Sequence, residues 1–243
     1  MADDPLAGLP RRTQQLGIDI TPEALSKLAT LLELLLASNA QLNLTGTRDR
    51  ESIIQRHFLE SLALGAELER CRLIANGARV LDLGSGAGFP GIPIKVVWPG
   101  IDLWLLEATA KKARFIESAA TSLRLRGAGV LTGRAETLAH HPQLRESFDL
   151  TLARAVAPLP TLVELALPFL RLGGHLAAMK GSRAGQEIAD AAKALELCGG
   201  MVAKELPVVE GASLGLILVR KSSPTPDRFP RRPGQPASHP LGT

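Results

Sequence analysis

The feature that most constrains this chain is one twelve-residue run, Val80-Leu81-Asp82-Leu83-Gly84-Ser85-Gly86-Ala87-Gly88-Phe89-Pro90-Gly91. An apolar strand passes without a linker into a turn that is glycine at every second position, and a helical pattern follows from Ile92. Glycine lacks a Cβ, so such a turn lets backbone approach a ligand closely. Strand, glycine turn and helix in that order belong to parallel α/β sheets, whose ligands sit outside the carboxyl ends of the strands. Gly86, Gly88 and Gly91 satisfy the dinucleotide spacing G-x-G-x-x-G, a weak signal alone. Asp82 and Pro90 argue against a dinucleotide. A doubly charged pyrophosphate would be driven towards the Asp82 carboxylate at unfavourable Coulomb energy, and Pro90 removes a backbone donor from the turn that should grip phosphate. S-adenosylmethionine carries an ammonium and a sulfonium, which Asp82 would attract. An S-adenosylmethionine-dependent methyltransferase is therefore expected, with an NAD-dependent dehydrogenase as the alternative on the same Rossmann-like core.

Around that turn the apolar pattern predicts strands at Val80 to Leu83, Leu103 to Leu106, Gly129 to Leu131, Leu150 to Ala153, His175 to Met179, Val202 to Leu206 and Leu214 to Val219. Helices are expected at Ile92 to Trp98, Lys111 to Leu125, Pro160 to Leu170 and Gln186 to Leu197. The last two strands, joined by a loop with Pro207 and Gly211, should close as a hairpin. Before the sheet, Thr21-Pro22-Glu23 marks a capped helix ending near Asn39, and Asp49 caps a second that carries His57. The expected fold is α/β: a class I methyltransferase core with a mostly parallel seven-stranded sheet, a C-terminal hairpin and an N-terminal helical appendage. Residues 1–75 are read as the appendage, 76–221 as the cofactor-binding domain and 222–243 as a basic, proline-rich tail.

The net charge of +4 is concentrated in that tail and the strand before it, where Arg220, Lys221, Arg228, Arg231 and Arg232 stand against Asp227. Clustered cations suit an RNA backbone, so Arg228, Arg231 and Arg232 are candidate RNA contacts, although a solvated, disordered end is an equal reading. No secretory or membrane-spanning pattern occurs, and the two cysteines lack metal-ligand spacing. A cytoplasmic, monomeric protein without a metal is expected.

Within the site, Glu107 ends the second strand, where an acid can accept from the ribose hydroxyls of either cofactor. Ala135-Glu136 follow the third strand and can flank an adenine, although alone they read as a surface loop. Arg154 ends an apolar strand at the ligand edge, where an unpartnered guanidinium would be costly to bury. Lys180 shares that logic after the fifth strand. Arg154, Lys180 and His57 are candidates for positioning substrate, His57 with the competing reading of an interior histidine.

Chemistry narrows the target atom. Methylation at pyrimidine C5 needs a cysteine nucleophile, and Cys71 and Cys198 look like helix-end residues. Amino-group methylation of a flipped base uses an Asx-Pro-Pro-aromatic loop, whereas this chain reads Ala153-Arg154-Ala155-Val156-Ala157-Pro158 and has no tyrosine. A ring nitrogen such as guanine N7 has an exposed lone pair and no proton to lose, so it needs orientation and a dry site.

These segments together resemble the ribosomal small subunit methyltransferase G family, also called glucose-inhibited division protein B. Asn43-Leu44-Thr45, Arg56-His57-Phe58-Leu59-Glu60-Ser61, Leu81 to Pro93, Ala135-Glu136, Arg154-Ala155, Lys180-Gly181 and Phe229 to Pro236 carry the resemblance, which spans nearly the whole chain. It implies transfer from S-adenosylmethionine to N7 of a guanine, guanine 527, in 16S rRNA of the small ribosomal subunit. It also implies cofactor contacts at Gly84, Phe89, Ala135, Glu136 and Arg154. Glu60 and Ala153 depart from the family, which usually has Asp and Ser there. A small-molecule methyltransferase would keep the fold and change the partner.

Overall fold

The computed structural model describes residue 6 and residues 8–47, 49–207 and 215–242. A short helix, α1 (Leu9–Gln15), precedes α2 (Pro22–Leu42), whose first turn is capped by the Thr21 hydroxyl accepting from the Ala24 N–H at 3.1 Å. Helix α2 runs past the expected end at Asn39 and closes at Asn43, which takes the left-handed conformation (φ 48°). The buried Asn39 side chain explains the polar stretch beyond it, accepting from the Thr45 N–H and donating to the Thr47 carbonyl. Asp49 then caps α3 (Arg50–Ile53), which opens into a π-helical segment at Ile54–Leu59 and continues as α4 (Glu60–Arg70).

The alternating part follows: β1 (Arg79–Leu83), α5 (Gly91–Val97), β2 (Asp102–Glu107), α6 (Ala110–Ser122), β3 (Ala128–Thr132), α7 (Ala135–Leu138), β4 (Phe148–Arg154), α8 (Leu159–Ala166) and β5 (Leu170–Lys180). Then come α9 (Ala184–Asp190), α10 (Ala192–Cys198), β6 (Gly200–Pro207), β7 (Gly215–Lys221) and α11 (Gln235–Ser238). The seven strands form one sheet in the order β3-β2-β1-β4-β5-β7-β6, parallel except for β7, which runs antiparallel to both its neighbours. This is the Rossmann-like class I fold expected, with β6 and β7 antiparallel. Gly211 of the expected connecting loop, and Leu214, lie outside the described residues.

Two expected elements are corrected. The helix read as Pro160 to Leu170 ends at Ala166, because Pro168 cannot continue it; a 3₁₀ turn spans Leu167–Phe169, and β5 begins at Leu170, five residues before the expected His175. The helix read as Gln186 to Leu197 is two helices meeting at Ala191, the first anchored by Glu187, which accepts from the Leu159 N–H and pairs with Lys180.

Because β1, β2 and β4 are buried on both faces, their side chains divide between two apolar layers. Val80, Leu103 and Leu150 pack with Leu28, Leu31 and Leu62 of the N-terminal helices. Leu81, Leu106 and Ala153 pack with Leu162 and Val163 of α8 and with Phe229 from the C-terminal segment. That segment therefore contributes to the core. Lys221, counted above among the basic cluster, is fully buried and paired with Glu146 at 2.6 Å.

Candidate functional site

The glycine turn is held from below by two carboxylates at the ends of adjacent strands. Gly84, Gly86 and Gly88 all take left-handed backbone (φ 69°, 62° and 87°), which a side chain would strain. Asp82 Oδ2 accepts from the Ser85 hydroxyl at 2.7 Å and from the Gly91 N–H at 2.9 Å, tying both ends of the turn together. A Cβ on Gly91 would fall 2.7 Å from that oxygen, so only glycine lets the helix approach. The other oxygen, Asp82 Oδ1, is buried without a hydrogen-bond partner. Burial pushes the Asp82 carboxyl up to about 6, against the lowering effects of its two hydrogen bonds and of Arg154. Glu107 accepts from the Gly86 N–H through one oxygen (3.0 Å) and from the Thr109 N–H through the other (2.7 Å). Each oxygen keeps a lone pair for a further donor.

Above the turn stands a second cluster, assembled from segments almost a hundred residues apart. Arg154 is the last residue of β4, where Ala155 enters the left-handed region (φ 55°) and turns the chain. Its guanidinium donates to the Arg56 carbonyl and to His57 Nδ1, both at 2.7 Å, and lies 3.6 Å from Glu60. All three partners belong to the π-helical segment or the residue after it. Phe89 completes the cluster, with His57 tilted over it at 5.1 Å and the Arg154 guanidinium 5.6 Å above its ring.

The state of His57 follows from its partner. Arginine only donates, so Nδ1 must accept, and a neutral ring then carries its proton on Nε2. Burial, with the Arg154 and Arg56 charges, pushes His57 down to about 4, so the ring is neutral at pH 7. Nε2 is buried without a partner. His57 thus offers one unpaired donor and is not a free base.

Beside this cluster opens a cleft of about 600 Å³ lined by Arg56, His57, Glu60, Arg154, Lys180 and Arg183. Lys180 donates to the Ala157 carbonyl and pairs with Glu187, both at 2.6 Å, bracing the loop after β4. Both carboxylates of the cleft, Glu60 and Glu187, are paired with cations. Arg56 and Arg183 are exposed at the rim and were not singled out from the sequence. Arg56 stands first in the segment Arg56 to Ser61 that carries the resemblance, and Arg183 follows Lys180-Gly181.

Ala135 and Glu136 do not form a surface loop; they open α7 and are both buried. The Glu136 carboxylate accepts from the Gly234 N–H at 2.9 Å, so it is turned to the C-terminal segment. Among the candidate RNA contacts, Arg228 and Arg232 are exposed, with Arg228 over the Phe229 ring at 5.0 Å. Arg231 is instead engaged by the fully buried Glu164, its guanidinium donating to both carboxylate oxygens. Cys71 caps the end of α4 and Cys198 ends α10, where burial, reinforced by the Glu164 charge, pushes its thiol up to about 12. A thiol so shifted is inert at neutral pH. Among the described residues no helix is long and apolar enough to cross a membrane.

Residues 24–214 match the family model described as rRNA small subunit methyltransferase G. The ribosomal RNA small subunit methyltransferase G of Moorella thermoacetica is 41% identical over 231 residues, covering 93% of each chain. That of Chloroflexus aggregans is 41% identical over 227 residues, again covering 93% of each. Among solved structures, a mutant of MtNAS in complex with S-adenosylmethionine superposes with a TM-score of 0.57 at 16% identity, over 90% of this chain and 78% of that one, a likeness of fold.

Proposed function

The chain belongs to the rRNA small subunit methyltransferase G family, and from that premise we propose that it methylates N7 of one guanine, guanine 527, of 16S rRNA within the small ribosomal subunit. It is an S-adenosylmethionine-dependent rRNA methyltransferase, which sets aside the dehydrogenase and small-molecule alternatives. The observation that carries the choice of atom is the polarity of the cleft. Its groups are donors or paired ions: Arg154, the His57 Nε2–H, and carboxylates held by Arg154 and Lys180. Among the described residues the cleft orients an acceptor and its own carboxylates are paired, which suits a ring nitrogen without a proton better than an amine that must lose one.

The residues fit S-adenosylmethionine at two places. The unpaired Asp82 Oδ1 needs a donor or a cation, and a Cβ at Gly86 would meet nothing nearer than the Gly84 carbonyl at 4.0 Å, which leaves room against the turn. Asp82 and Gly84 to Gly88 would hold the methionine end, Glu107 the ribose, Ala135 and Glu136 the adenine, with Phe89 and Arg154 closing the site. When bound, the cofactor supplies an electrophilic methyl on a sulfonium. Arg154 and His57 then hold the guanine in line with it, while the exposed Arg56 and Arg183, with Arg228 and Arg232, contact phosphates. Residues 1–75, 76–221 and 222–243 are read as appendage, cofactor domain and tail, and the protein as a monomer of the cytoplasm.

The test is transfer of labelled methyl to unmodified small ribosomal subunits, mapped by chain cleavage at N7-methylguanine. Label at one guanine supports the proposal; label on an exocyclic amine refutes it. Asp82 gives an independent check. Its carboxylate is raised to about 6, so it is charged above that pH and neutral below. Cofactor affinity should therefore fall as pH drops through about 6, and Asp82→Asn should bind about tenfold more weakly, without that pH dependence. In the free protein the sign is reversed: the folded state holds this proton more tightly than the unfolded chain, so stability falls as pH rises from about 4 to about 6. Calorimetric titrations at pH 5 and 8 measure the affinity and thermal unfolding of the free protein the stability, and equal affinities for wild type at the two values would remove Asp82 from the cofactor site.

A further inference from the structure

We propose that the segment Phe229 to Ser238 is a strap that sets cofactor affinity by holding Glu136 in place, with Arg231 as its anchoring, positioning residue. The proposal rests on the reading that Ala135 and Glu136 flank the adenine. The anchor is Glu164, an acid in the middle of the apolar helix α8 and fully buried. Both of its oxygens accept from the Arg231 guanidinium, and one also accepts from the Arg231 backbone N–H at 2.8 Å. A fork on a carboxylate plus a backbone bond fixes distance and orientation together, so the register of the strap is set at this point.

Three residues on, Gly234 takes a left-handed turn (φ 85°) and its N–H meets Glu136 Oε1 at 2.9 Å. This is the one hydrogen bond given to the buried Glu136 carboxylate among the described residues. Three further bonds flank it: Thr161 donates to the Pro236 carbonyl at 3.0 Å, His140 Nε2 meets the Pro230 carbonyl at 2.9 Å, and Arg145 donates to the Phe229 carbonyl at 3.0 Å. The strap thus joins α8, where it is anchored, to α7 and the residues just after it, where the cofactor's base would lie. Arg231, with its guanidinium held by Glu164 and by the His239 carbonyl, has little left to offer a phosphate; the exposed Arg228 and Arg232 retain that capacity. Detaching the strap leaves a buried carboxylate without its donor at the first turn of α7, and a four-residue helix has little else to hold its shape.

Coupling of this kind is reciprocal: if the strap strengthens cofactor binding, cofactor must hold the strap down by the same factor. Hydrogen exchange of the native protein tests this without any substitution. Saturating S-adenosylmethionine should slow exchange of the amides from residues 229 to 238, Gly234 among them. Unchanged exchange there, with the Gly84 to Gly88 amides protected, would overturn the proposal. Calorimetry on variants supplies the second arm. Arg231→Gln should raise Kd for S-adenosylmethionine about tenfold, with Arg231→Lys recovering part of it and kcat at saturating cofactor retained. Wild-type affinity in Arg231→Gln overturns the strap alone. Wild-type affinity in Glu136→Ala overturns the adenine assignment and the strap with it.

Discussion

Arg231→Ala is expected to lower the folding free energy by about 3–5 kcal/mol, the usual cost of removing one partner from a buried ion pair. Glu164 has no exposed surface, and in the native protein both of its oxygens are filled by Arg231. Alanine leaves that carboxylate in an apolar helix beside Val163 and Leu165, its counter-ion gone and only the backbone N–H of residue 231 still donating to it. For a chain of this size the loss corresponds to a melting point lower by about 10 °C. Replacing both partners, as Glu164→Leu with Arg231→Met, should restore most of the stability, because no charge is then stranded. Arg232→Ala, one residue away and exposed, should stay within about 0.5 kcal/mol of wild type. Urea unfolding of the four proteins decides the matter. A loss under about 1 kcal/mol in Arg231→Ala would show that the pair is screened or dispensable.

Arg154→Gln is expected to reduce kcat/KM for methyl transfer to small subunits about 100-fold, the penalty typical of a reacting geometry displaced by about 1 Å. Arg154 reaches from the end of β4 to the Arg56 carbonyl and the His57 ring, so it sets where the N-terminal helices stand against the sheet at the site. Glutamine is shorter and cannot span both acceptors. His57 would lose the donor that fixes its Nε2–H form, and Glu60 its counter-ion. Steady-state transfer at several cofactor concentrations, with circular dichroism to confirm folding, measures the effect. A loss below about threefold would falsify the role given to Arg154.

The sheet was legible because its central strands are short apolar runs buried on both faces, a pattern that tertiary context does not override. Asp82, Glu107 and Arg154 were legible for a related reason: each is a charge at the carboxyl end of such a run, where burial demands a partner or a ligand. The internal partners were not. Glu164 carried a signal, an acid inside the apolar stretch Leu159 to Ala166, but its counter-ion lies 67 residues away and no local periodicity relates them. Lys221 was counted with the tail cations for the same reason, since its pairing with Glu146 depends on how β7 enters the sheet. Helix boundaries failed where a proline or a distant contact decided them, as at Pro168 and Glu187. The Glu136 carboxylate accepts from the Gly234 N–H, 98 positions away, a contact that no local pattern signals.

The π-helical segment at Ile54–Leu59 has a consequence for inheritance. A π turn holds one residue more than an α turn in the same helix, so it is an insertion that the surrounding helix has absorbed. Loss of a single codon there would let α3 and α4 run on as one regular helix, with every backbone bond made and the apolar face still against the sheet on at least one side. Such a protein keeps its main-chain bonds, although Ile54, Phe58 and Leu59 of the segment are buried and must repack. Its Arg56 carbonyl and His57 ring, however, would be rotated by about 100° relative to Glu60, out of reach of Arg154. Removing one residue from this turn should therefore cost methyl transfer by separating the Arg56 carbonyl and His57 from Arg154, read as lost transfer in a protein whose circular dichroism still reports helix.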